Sequence, residues 1–438
     1  MSCGLTNPSA LLEQGATKTE GQAFLSIWCM VVCMLWGEKR LYSCSTARRA
    51  WSVWCGILLS AAWMCFGGGE PHQPVAGFEI RDVHIEEGQT GVVLRVKLDA
   101  PADARIEIRK EGPARPGRDF ILSETSLVFH ATGPVYREVV LDAPLNGMPE
   151  GPRRARLVLA GGRGYRPGED AVCHIGIRDA DSVTVMAANL TSGRRQQYRE
   201  PGKRLMRGLM PDVVGIQEFR MTNGITRRAF VDEVFGAQYE YVVEADAPLP
   251  CGIISRWPIR SWGVWEDPGV GNRNFVWAII DIPGSDRHLQ AVSAHFLATG
   301  SATDRRRQAE RLKSYIREYF DPEHYVVIAA DLNTRWRGEM AMGVLDGVVT
   351  DGRRPADQAG NENTNRRRNR PYDYVLPCRR LDARHHPHVL GTQVFTKGLV
   401  FDSRLWEDPP HPIRRDDSGA KEMQHMPVIK TFAFPEDR

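Results

Sequence analysis

Hydrophobic and polar residues alternate with a period of two through most of residues 77–181. Segments such as FEIRDVHI, TGVVLRVKL and ARIEIRK carry an apolar side chain at about every second position, and turns rich in proline, glycine and aspartate separate them. This alternation is typical of strands that bury one face only. About seven such strands, roughly 8–12 residues apart, predict an all-β sandwich for this segment.

Residues 182–434 have a different pattern, with longer apolar runs and intervening helical segments. The runs VTVMAA, DVVGIQEF, FVWAIIDI and YVVIAADLN are rich in β-branched residues and predict buried strands. Arg199–Met210 and Thr303–Phe320 predict helices, and Asp304 is a candidate N-cap or first-turn acid of the second helix. Strands and helices mixed over roughly 250 residues indicate a layered α/β domain.

The first 70 residues have the pattern of a targeting segment. Two apolar runs, Ala23–Trp36 and Trp51–Phe66, are each shorter than the roughly 18–20 residues that span a bilayer. Arg48-Arg49 before the second run and Ser60-Ala61-Ala62 inside its end are typical of a secretory signal. We therefore expect a cleaved signal and a secreted protein, with an uncleaved envelope anchor or a lipid on Cys65 as the alternatives.

Charge and cysteine content narrow the function classes. The formal net charge of the 438 residues is +3, so overall charge favours neither nucleic acid nor an anionic surface, and any attraction to phosphates must be local. Six of the nine cysteines precede residue 66, and Cys173, Cys251 and Cys378 lie in separate segments. This distribution predicts neither a disulfide framework nor a structural zinc site in the globular part.

Polar residues follow several predicted strands of residues 182–434 in a fixed order. Strand ends are where an α/β protein presents side chains to a ligand crevice. Carboxylates, histidines and amides together suit metal-assisted phosphate chemistry. Taken singly, each residue also fits a structural role such as a turn or a strand cap, but independent turn residues have no reason to fall in this order. The residues are Asn189 in VMAANL, Gln217-Glu218 in VVGIQEF, His295 in VSAHF, Asp331 and Asn333 in IAADLN, Tyr372-Asp373, and His425 in QHMPV.

Together with the GIISRWPI strand at Gly252–Ile259, these motifs resemble the endonuclease/exonuclease/phosphatase superfamily. That superfamily includes deoxyribonuclease, abasic-site endonuclease, sphingomyelinase and inositol-polyphosphate phosphatase. The resemblance extends over residues 182–434. It implies a deoxyribonuclease-like four-layer α/β sandwich that hydrolyses phosphoesters with Mg²⁺ or Mn²⁺.

The same resemblance implies roles for individual residues. His295 and His425 would donate to phosphate oxygens or to the leaving group, and Asp373 would pair with His425 and raise its pKa. Asp331 would orient or deprotonate the attacking water. Asn333 would hold water and phosphate without adding a repulsive charge.

The implied metal ligands are Glu218, with Asn189 nearby, and Gln424. Gln424 is a departure, because the family usually has Ser-Asp-His before its last strand and this chain has Met423-Gln424-His425. An amide oxygen can ligate a hard cation but lacks the charge, so metal affinity should fall, unless Asp416 or Asp417 takes over. We expect a weakened but competent enzyme; the alternative is an extracellular binding or adhesion protein with a decayed phosphoesterase domain.

Substrate signals are sparse. The cluster Arg366–Arg370 directly precedes Tyr372, so Arg367, Arg368 and Arg370 are candidates to hold further phosphates, with a solvated loop as the alternative. On this basis nucleic acid is favoured over a lipid or inositol phosphate. Arg305–Arg307 is interpreted as surface charge, and a monomer without an obligate protein partner is expected. Candidates for base stacking, with core or rim packing as the alternative, are Trp257, Trp262, Trp265 and Trp336.

Residues 77–181 resemble a Calx-β domain. The resemblance rests on Glu87-Gly88, Pro116–Phe120, Glu150-Gly151 and Ile177–Asp181. The resemblance implies a possible Ca²⁺ site at one end of the sandwich, although the loop 142–150 is poor in carboxylates. Turn-capping acids are the alternative interpretation. The candidate ligands are Glu87, Asp119, Glu150, Asp179 and Asp181.

Overall fold

The computed structural model describes residues 73–221 and 224–434 of the chain. The predicted targeting segment, residues 1–70, lies outside the described residues, so the expectations for it stay predictions. Among the residues that are described, no helix combines the length and the apolar character needed to cross a membrane.

The N-terminal domain consists of ten strands between Val75 and Arg178, arranged in two five-stranded sheets. They are β1 (Val75–Phe78), β2 (Asp82–Glu86), β3 (Val92–Leu98), β4 (Ala104–Glu111), β5 (Ile121–Leu122), β6 (Ser126–Phe129), β7 (Tyr136–Asp142), β8 (Arg153–Arg163), β9 (Arg166–Pro167) and β10 (Val172–Arg178). The first sheet has the order β5-β7-β3-β1-β9 and the second the order β2-β10-β8-β4-β6. Pairing is antiparallel except between β1 and β9 and between β2 and β10.

Burial in these strands follows the period of two. In β3, Leu94, Val96 and Leu98 are buried, and the residues between them are exposed. Leu157 of β8, from the other sheet, belongs to the same apolar core. The predicted all-β sandwich is therefore confirmed, because one face of each sheet supplies the core and the other carries the charges.

The C-terminal domain contains fourteen strands and five α-helices among the described residues. The strands are β11 (Ser182–Ala188), β12 (Val213–Ile216), β13 (Glu240–Val243), β14 (Gly252–Ser255), β15 (Ile259–Trp265), β16 (Phe275–Ile280), β17 (Leu289–Ser293), β18 (Tyr325–Asp331), β19 (Asp373–Pro377), β20 (His385–His386), β21 (His388–Leu390), β22 (Gln393–Phe395), β23 (Leu399–Val400) and β24 (Val428–Ala433). The helices are α1 (Glu200–Leu209), α2 (Arg227–Val234), α3 (Ala302–Tyr319), α4 (Met340–Leu345) and α5 (Arg379–Asp382), with 3₁₀ turns at Ser403–Leu405 and Asp417–Gly419.

These elements form four layers. A seven-stranded sheet with the order β13-β14-β12-β11-β24-β20, to which β23 adds beside β24, faces a five-stranded sheet with the order β15-β16-β17-β18-β19. Val185 and Val327 belong to the core between the two sheets. Leu205 of α1 packs on the outer side of the larger sheet, and Leu312 of α3 packs on the outer side of the smaller one. The predicted four-layer α/β sandwich is confirmed.

The start of helix α3 is held by a capping box. Ser301 is the N-cap and accepts a hydrogen bond from the Asp304 backbone N–H, while the Asp304 carboxylate accepts one from the Ser301 N–H. Asp304 is thus the first-turn acid rather than the N-cap. The observed helix, Ala302–Tyr319, begins and ends one residue before the predicted span.

The two sheets approach each other closely at Gly215 of β12. A Cβ atom placed on Gly215 would lie 2.1 Å from the carbonyl oxygen of Ala329 in β18. The same carbonyl accepts a hydrogen bond from Gln217 Nε2 at 3.1 Å. Only a residue without a side chain allows this contact. The contact brings together the ends of β12 and β18, where the predicted polar residues lie.

Candidate active site and metal centre

The predicted polar residues lie at the ends of strands from both sheets. Asn189 follows β11, Glu218 comes shortly after β12, and His425 precedes β24, all in the larger sheet. In the smaller sheet, Asp331 ends β18 and Asp373 begins β19, where the two residues are register partners.

The Asp331 carboxylate is the centre of this group. Asn189 donates from Nδ2 to Asp331 Oδ2 at 3.1 Å, and the backbone N–H of Asn333 donates to Oδ1 at 3.0 Å. His295 Nε2 lies 3.3 Å from Oδ2, and His425 Nε2 lies 3.7 Å from it. Burial raises the pKa of Asp331, and the charge of His425 opposes that effect. Side chains as far as 142 residues from Asp331 in sequence therefore meet at its buried carboxylate.

His425 and Asp373 form a second, oriented pair. His425 Nδ1 lies 3.0 Å from Asp373 Oδ2, which also accepts a hydrogen bond from the Thr364 hydroxyl at 2.8 Å. Burial alone would lower the pKa of His425, but the charges of Asp373 and Asp331 outweigh it and raise the pKa to about 10. This imidazole is thus cationic near neutral pH, and its Nε2–H points to the shared Asp331 oxygen.

His295 has the opposite protonation state. Burial, reinforced by the charge of Arg273 and other nearby cations, holds the pKa of His295 well below its ordinary value. Its ring is 3% exposed, and Nδ1 has no hydrogen-bond partner among the described residues. A neutral imidazole can offer one N–H donor without adding a charge.

Two residues of the site have left-handed backbone conformations. Glu218 has a φ of 51° and Asn333 a φ of 50°. Such conformations cost roughly 1 kcal/mol or more for residues other than glycine and persist where the surrounding structure holds them. Asn333 is held by its backbone N–H on Asp331 and by Nδ2, which donates to the Phe296 carbonyl at 3.1 Å.

The donor set fits a hard divalent cation. Carboxylate oxygens of Asp331 and Asp373 lie within 4.8 Å of each other and of a ring nitrogen of His425. Asp373 Oδ1 is buried and has no partner among the described residues. Glu218, 9% exposed, contacts Arg220 Nη2 through Oε2 at 3.2 Å. Carboxylate and amide oxygens are the ligand atoms that Mg²⁺ and Mn²⁺ prefer.

The sequence of this region decides the family. Residues 203–395 match the family model described as "Endonuclease/Exonuclease/phosphatase family", and the matched span contains Glu218, His295, Asp331 and Asp373. Residues 203–395 thus match the endonuclease/exonuclease/phosphatase (EEP) family, and the C-terminal domain is called the EEP domain below. The resemblance predicted from its motifs is thereby confirmed.

Solved structures show weaker likenesses. The human Nocturnin catalytic domain with bound sulfate is 14% identical, with a TM-score of 0.42, and the match covers 58% of this chain and 94% of that one. An endonuclease/exonuclease/phosphatase family protein from Bacteroides thetaiotaomicron is 15% identical, with a TM-score of 0.40 and coverage of 58% and 98%. Because both TM-scores are below 0.5, the assignment rests on the family match and on the site. A search of the curated proteins returned no match.

The Calx-β resemblance of the N-terminal domain stays a resemblance. The apo form of a Calx CBD1 domain is 18% identical, with a TM-score of 0.23, and covers 25% of this chain and 98% of that domain. This score is too low to support a relationship.

Gln424 does not lie at the position that its motif predicts. Its side chain is exposed, and its backbone carbonyl accepts a hydrogen bond from the Arg366 N–H at 2.7 Å. Its neighbours Met423 and His425 are buried, so the side chain at 424 points to the other side of the extended segment. Asp417 does not replace it, because its carboxylate is paired with Arg204. The expected metal ligand at Gln424 is therefore corrected to a groove residue of the EEP domain.

The arginine cluster of the EEP domain divides into two kinds of residue. Arg368 is not a substrate candidate, because it is paired with Asp357 at 2.7 Å and with Asp402 at 3.0 Å. Arg367 and Arg370 are exposed and line a groove of about 320 Å³ together with Gln424. These two residues keep the predicted position beside the site.

Two residues near the site, Arg273 and Thr364, are not among the predicted site residues. Arg273 is 8% exposed, and its Nη1 is buried without a hydrogen-bond partner among the described residues. Burial lowers its pKa, while the charges of Asp331 and Glu218 raise it. Thr364 positions Asp373. Neither residue lies in a recognisable motif, and only the folded chain brings them to the site.

The surface position predicted for Arg305 is wrong. It is 1% exposed and forms a bidentate pair with Glu339 at 2.6 and 2.7 Å. It also donates to the Leu297 carbonyl at 3.3 Å, just after His295. This buried pair joins helix α3 to the segments that follow His295 and Asp331.

The predicted calcium ligands of the sandwich separate into two groups. Glu87, Asp179 and Asp181 are buried and have ligand atoms within 4.8 Å of one another. Burial, followed by the charge of Asp179, raises the pKa of Glu87 to about 8. Asp119 and Glu150 are instead both paired with Arg118, at 2.8 and 2.9 Å. A set of five ligands is thus reduced to three.

Proposed function

We propose that the EEP domain is a phosphodiesterase that uses Mg²⁺ or Mn²⁺ and acts on nucleic acid. The observation that carries the proposal is the convergence of Asn189, His295 and His425 on one oxygen of the buried Asp331 carboxylate. A structural turn or strand cap has no need for two histidines of opposite charge state at the same atom. Hydrolysis of a phosphoester needs both a base for water and donors for the phosphate oxygens.

Asp331 is the proposed base for the attacking water. Its Oδ1 accepts one hydrogen bond from the protein, from the Asn333 N–H, so a lone pair remains for water. Asn189 and Asn333 keep the carboxylate in place by hydrogen bonds. A fixed orientation matters because the water must attack in line with the leaving oxygen.

The two histidines are the proposed donors to the phosphate. His425, cationic through Asp373, can stabilise the charge that develops on an equatorial or leaving oxygen. Neutral His295 can donate one N–H. Arg273, with its buried and unpartnered Nη1, is a further candidate to hold the phosphate.

Glu218 and Asn189 are the proposed ligands of the cation. A bound Mg²⁺ or Mn²⁺ would polarise the phosphoryl group and neutralise charge on its oxygens. Arg220, 3.2 Å from Glu218, balances the carboxylate when no cation is present.

The surface beside the site favours nucleic acid over a lipid or inositol phosphate. The groove with Arg367 and Arg370 shares Asn369 with a second groove of about 460 Å³ that contains Arg335 and Trp336. These three arginines have no carboxylate partner among the described residues, and the Trp336 side chain is 55% exposed. Cations that follow a backbone, next to an aromatic ring that can stack on a base, suit a polynucleotide.

The test compares substrates with and without chelator. Purified protein is incubated with plasmid DNA, single-stranded DNA, sphingomyelin vesicles and a chromogenic phosphodiester, each with Mg²⁺ or EDTA. We expect Mg²⁺-dependent cleavage of nucleic acid, and loss of activity in Asp331→Asn, with Asp408→Asn as an exposed control. Cleavage of sphingomyelin alone would reject the nucleic-acid proposal. No cleavage of any of the four substrates would favour the alternative, an extracellular binding or adhesion protein with a decayed phosphoesterase domain.

We also propose that Glu87, Asp179 and Asp181 bind Ca²⁺ in the N-terminal domain. Asp181 is 1% exposed and its Oδ2 has no hydrogen-bond partner among the described residues, so this oxygen is available to a cation. The proposals of a secreted or envelope-anchored monomer rest on the targeting pattern of residues 1–70 and on composition.

A further inference from the structure

A cavity of about 480 Å³ lies between the sandwich and the EEP domain. Its floor is the outward face of the sheet that contains β2, β10 and β8, and its roof is the proline-rich segment 408–415 together with Trp406. We call it the junction pocket. It shares no lining residue with the candidate active site, and its chemistry is carried by Asp82, His84, Arg154, His174, His411 and Arg415.

The floor is a regular array of polar side chains. His174 of β10 is the register partner of both Asp82 of β2 and Arg156 of β8, and Gly176, two residues on, is the partner of His84 and Arg154. The residues between them, such as Ile175, belong to the sandwich core. Because alternate residues of a strand share a face, the polar groups of three strands project together into the pocket.

Arg154 is the main cation of this array, and it has no carboxylate partner among the described residues. Its guanidinium donates to two backbone carbonyls of the EEP domain, those of Gly208 and His411, the second at 3.4 Å. Its Nε is buried without an acceptor. Burial, followed by the charge of Arg178, lowers the pKa of Arg154 to about 9. A guanidinium in this position is desolvated and is not neutralised by the protein.

The other charged residues of the junction pocket do not neutralise the Arg154 guanidinium. Arg415 lines the pocket, is exposed, and has no ion pair among the described residues. Asp82 is engaged by His411 Nε2 at 2.9 Å, and Asp408 lies exposed at the rim. The other two arginines that line the pocket, unlike Arg154 and Arg415, have carboxylate partners. Arg156 is paired with Glu111 at 2.8 Å, and Arg207 is paired with Glu233 at 3.4 Å.

The imidazoles add donors that complement an anion. The rings of His174 and His411 are stacked with their centroids 3.6 Å apart and form a flat wall. Burial is the leading cause that lowers the pKa of His84 to about 3 and of His174 to about 4. Near neutral pH both rings are therefore uncharged and each keeps one N–H that can donate.

We propose that the junction pocket binds a small oxyanion, a carboxylate or phosphate group, between the guanidinium groups of Arg154 and Arg415. Guanidinium groups recognise such planar or tetrahedral oxyanions through paired N–H donors. Because Arg154 already joins the sandwich to the EEP domain, a bound anion stabilises the junction as well.

The experiment is a calorimetric titration of the full-length protein with sodium phosphate and, separately, with sodium citrate. The protein is first freed of metal with EDTA and then dialysed against buffer without EDTA, and sodium chloride keeps the ionic strength constant. The variants are Arg154→Gln and Arg415→Gln. We expect binding of at least one anion, and a loss of affinity of about tenfold or more in each variant, as for a lost charge-assisted hydrogen bond.

Two controls locate the binding. Arg109→Gln removes an exposed arginine of β4, in the same sheet but outside the pocket, and Arg367→Gln removes one from the active-site groove. Arg109→Gln is expected to bind as the parent does, and Arg367→Gln is expected to keep the component of binding that Arg154→Gln and Arg415→Gln lose. Equal binding by the parent, Arg154→Gln and Arg415→Gln would overturn the proposal, as would a loss in Arg367→Gln alone. If Arg154→Gln fails to fold, Arg415→Gln decides, because Arg415 is exposed.

Discussion

At the scale of single residues, the two histidines of the candidate site are distinguished by their neighbours. Both approach the Asp331 carboxylate, but only His425 also pairs with Asp373, whereas His295 is buried near the cation Arg273. The same side chain is thus cationic in one place and neutral in the other. Motifs alone place both histidines at strand ends but do not assign their charges.

The first prediction concerns the pH dependence set by His425. A folded-state pKa raised from 6.5 to about 10 contributes stability that is fully present below pH 6.5 and is lost as the pH rises through about 10. We therefore expect the difference in unfolding free energy between the parent and His425→Gln to shrink over this interval, measured by urea unfolding in EDTA. In Asp373→Asn the NMR titration of His425 should move to lower pH; an unchanged midpoint would contradict the assigned pair.

The second prediction concerns Arg273. If Nη1 of Arg273 holds the phosphate in the proposed phosphodiesterase reaction, Arg273→Gln should lower kcat/KM of that reaction by roughly 10²-fold, and the urea midpoint should stay close to that of the parent. Arg260→Gln, an exposed arginine paired with Asp281 at 3.3 Å, serves as the control. A fall in stability without a kinetic effect would make Arg273 a structural residue.

At the scale of secondary-structure elements, the period of the apolar pattern predicted most of the architecture. The predicted helix Arg199–Met210 is observed as Glu200–Leu209, and Thr303–Phe320 as Ala302–Tyr319. Errors arose where a partner far away in sequence decides the environment. Arg368 has the sequence context of a free loop cation, yet Asp357 and Asp402 neutralise it.

The third prediction tests the close contact of the two sheets. Gly215→Ala places a methyl group 2.1 Å from the Ala329 carbonyl oxygen, so the sheets must separate. Overpacking of this kind typically costs about 1–3 kcal/mol, and it should also loosen the ends of β12 and β18. Urea unfolding and cleavage assays should both report a loss. Gly343→Ala is the control, because a Cβ there meets no atom within 4 Å; equal effects of the two changes would refute the contact.

The fourth prediction tests the brace between helix α3 and the site. Arg305→Met leaves Glu339 buried without its partner, and breaking such a pair typically costs about 3–5 kcal/mol. Arg306→Met, the adjacent and exposed arginine paired with Glu310 at 2.8 Å, should cost at most about 0.5 kcal/mol. Chemical denaturation of the two variants gives the comparison, and similar midpoints would show that the Arg305 pair contributes nothing.

At the scale of the whole molecule, the sequence predicted which residues meet but not what lies between the domains. The ordered motifs of the EEP domain carry family information, and the observed convergence on Asp331 follows the strand order of the two sheets. The junction pocket has no such signal. Its groups come from residues as distant as Asp82, His174 and His411, and only the packing of the sandwich against the EEP domain brings them together.

The last prediction concerns calcium at the start of the EEP domain. Asp181 immediately precedes β11, and its backbone carbonyl accepts a hydrogen bond from the Phe434 N–H at 2.7 Å, so a cation bound by Glu87, Asp179 and Asp181 would stabilise both domains. Binding at 100 times the Kd adds about 2.7 kcal/mol to the unfolding free energy. We expect Ca²⁺ to raise the Tm of the parent and of the exposed control Glu124→Gln, but not of Asp181→Asn. An equal rise in all three proteins would place the bound Ca²⁺ elsewhere.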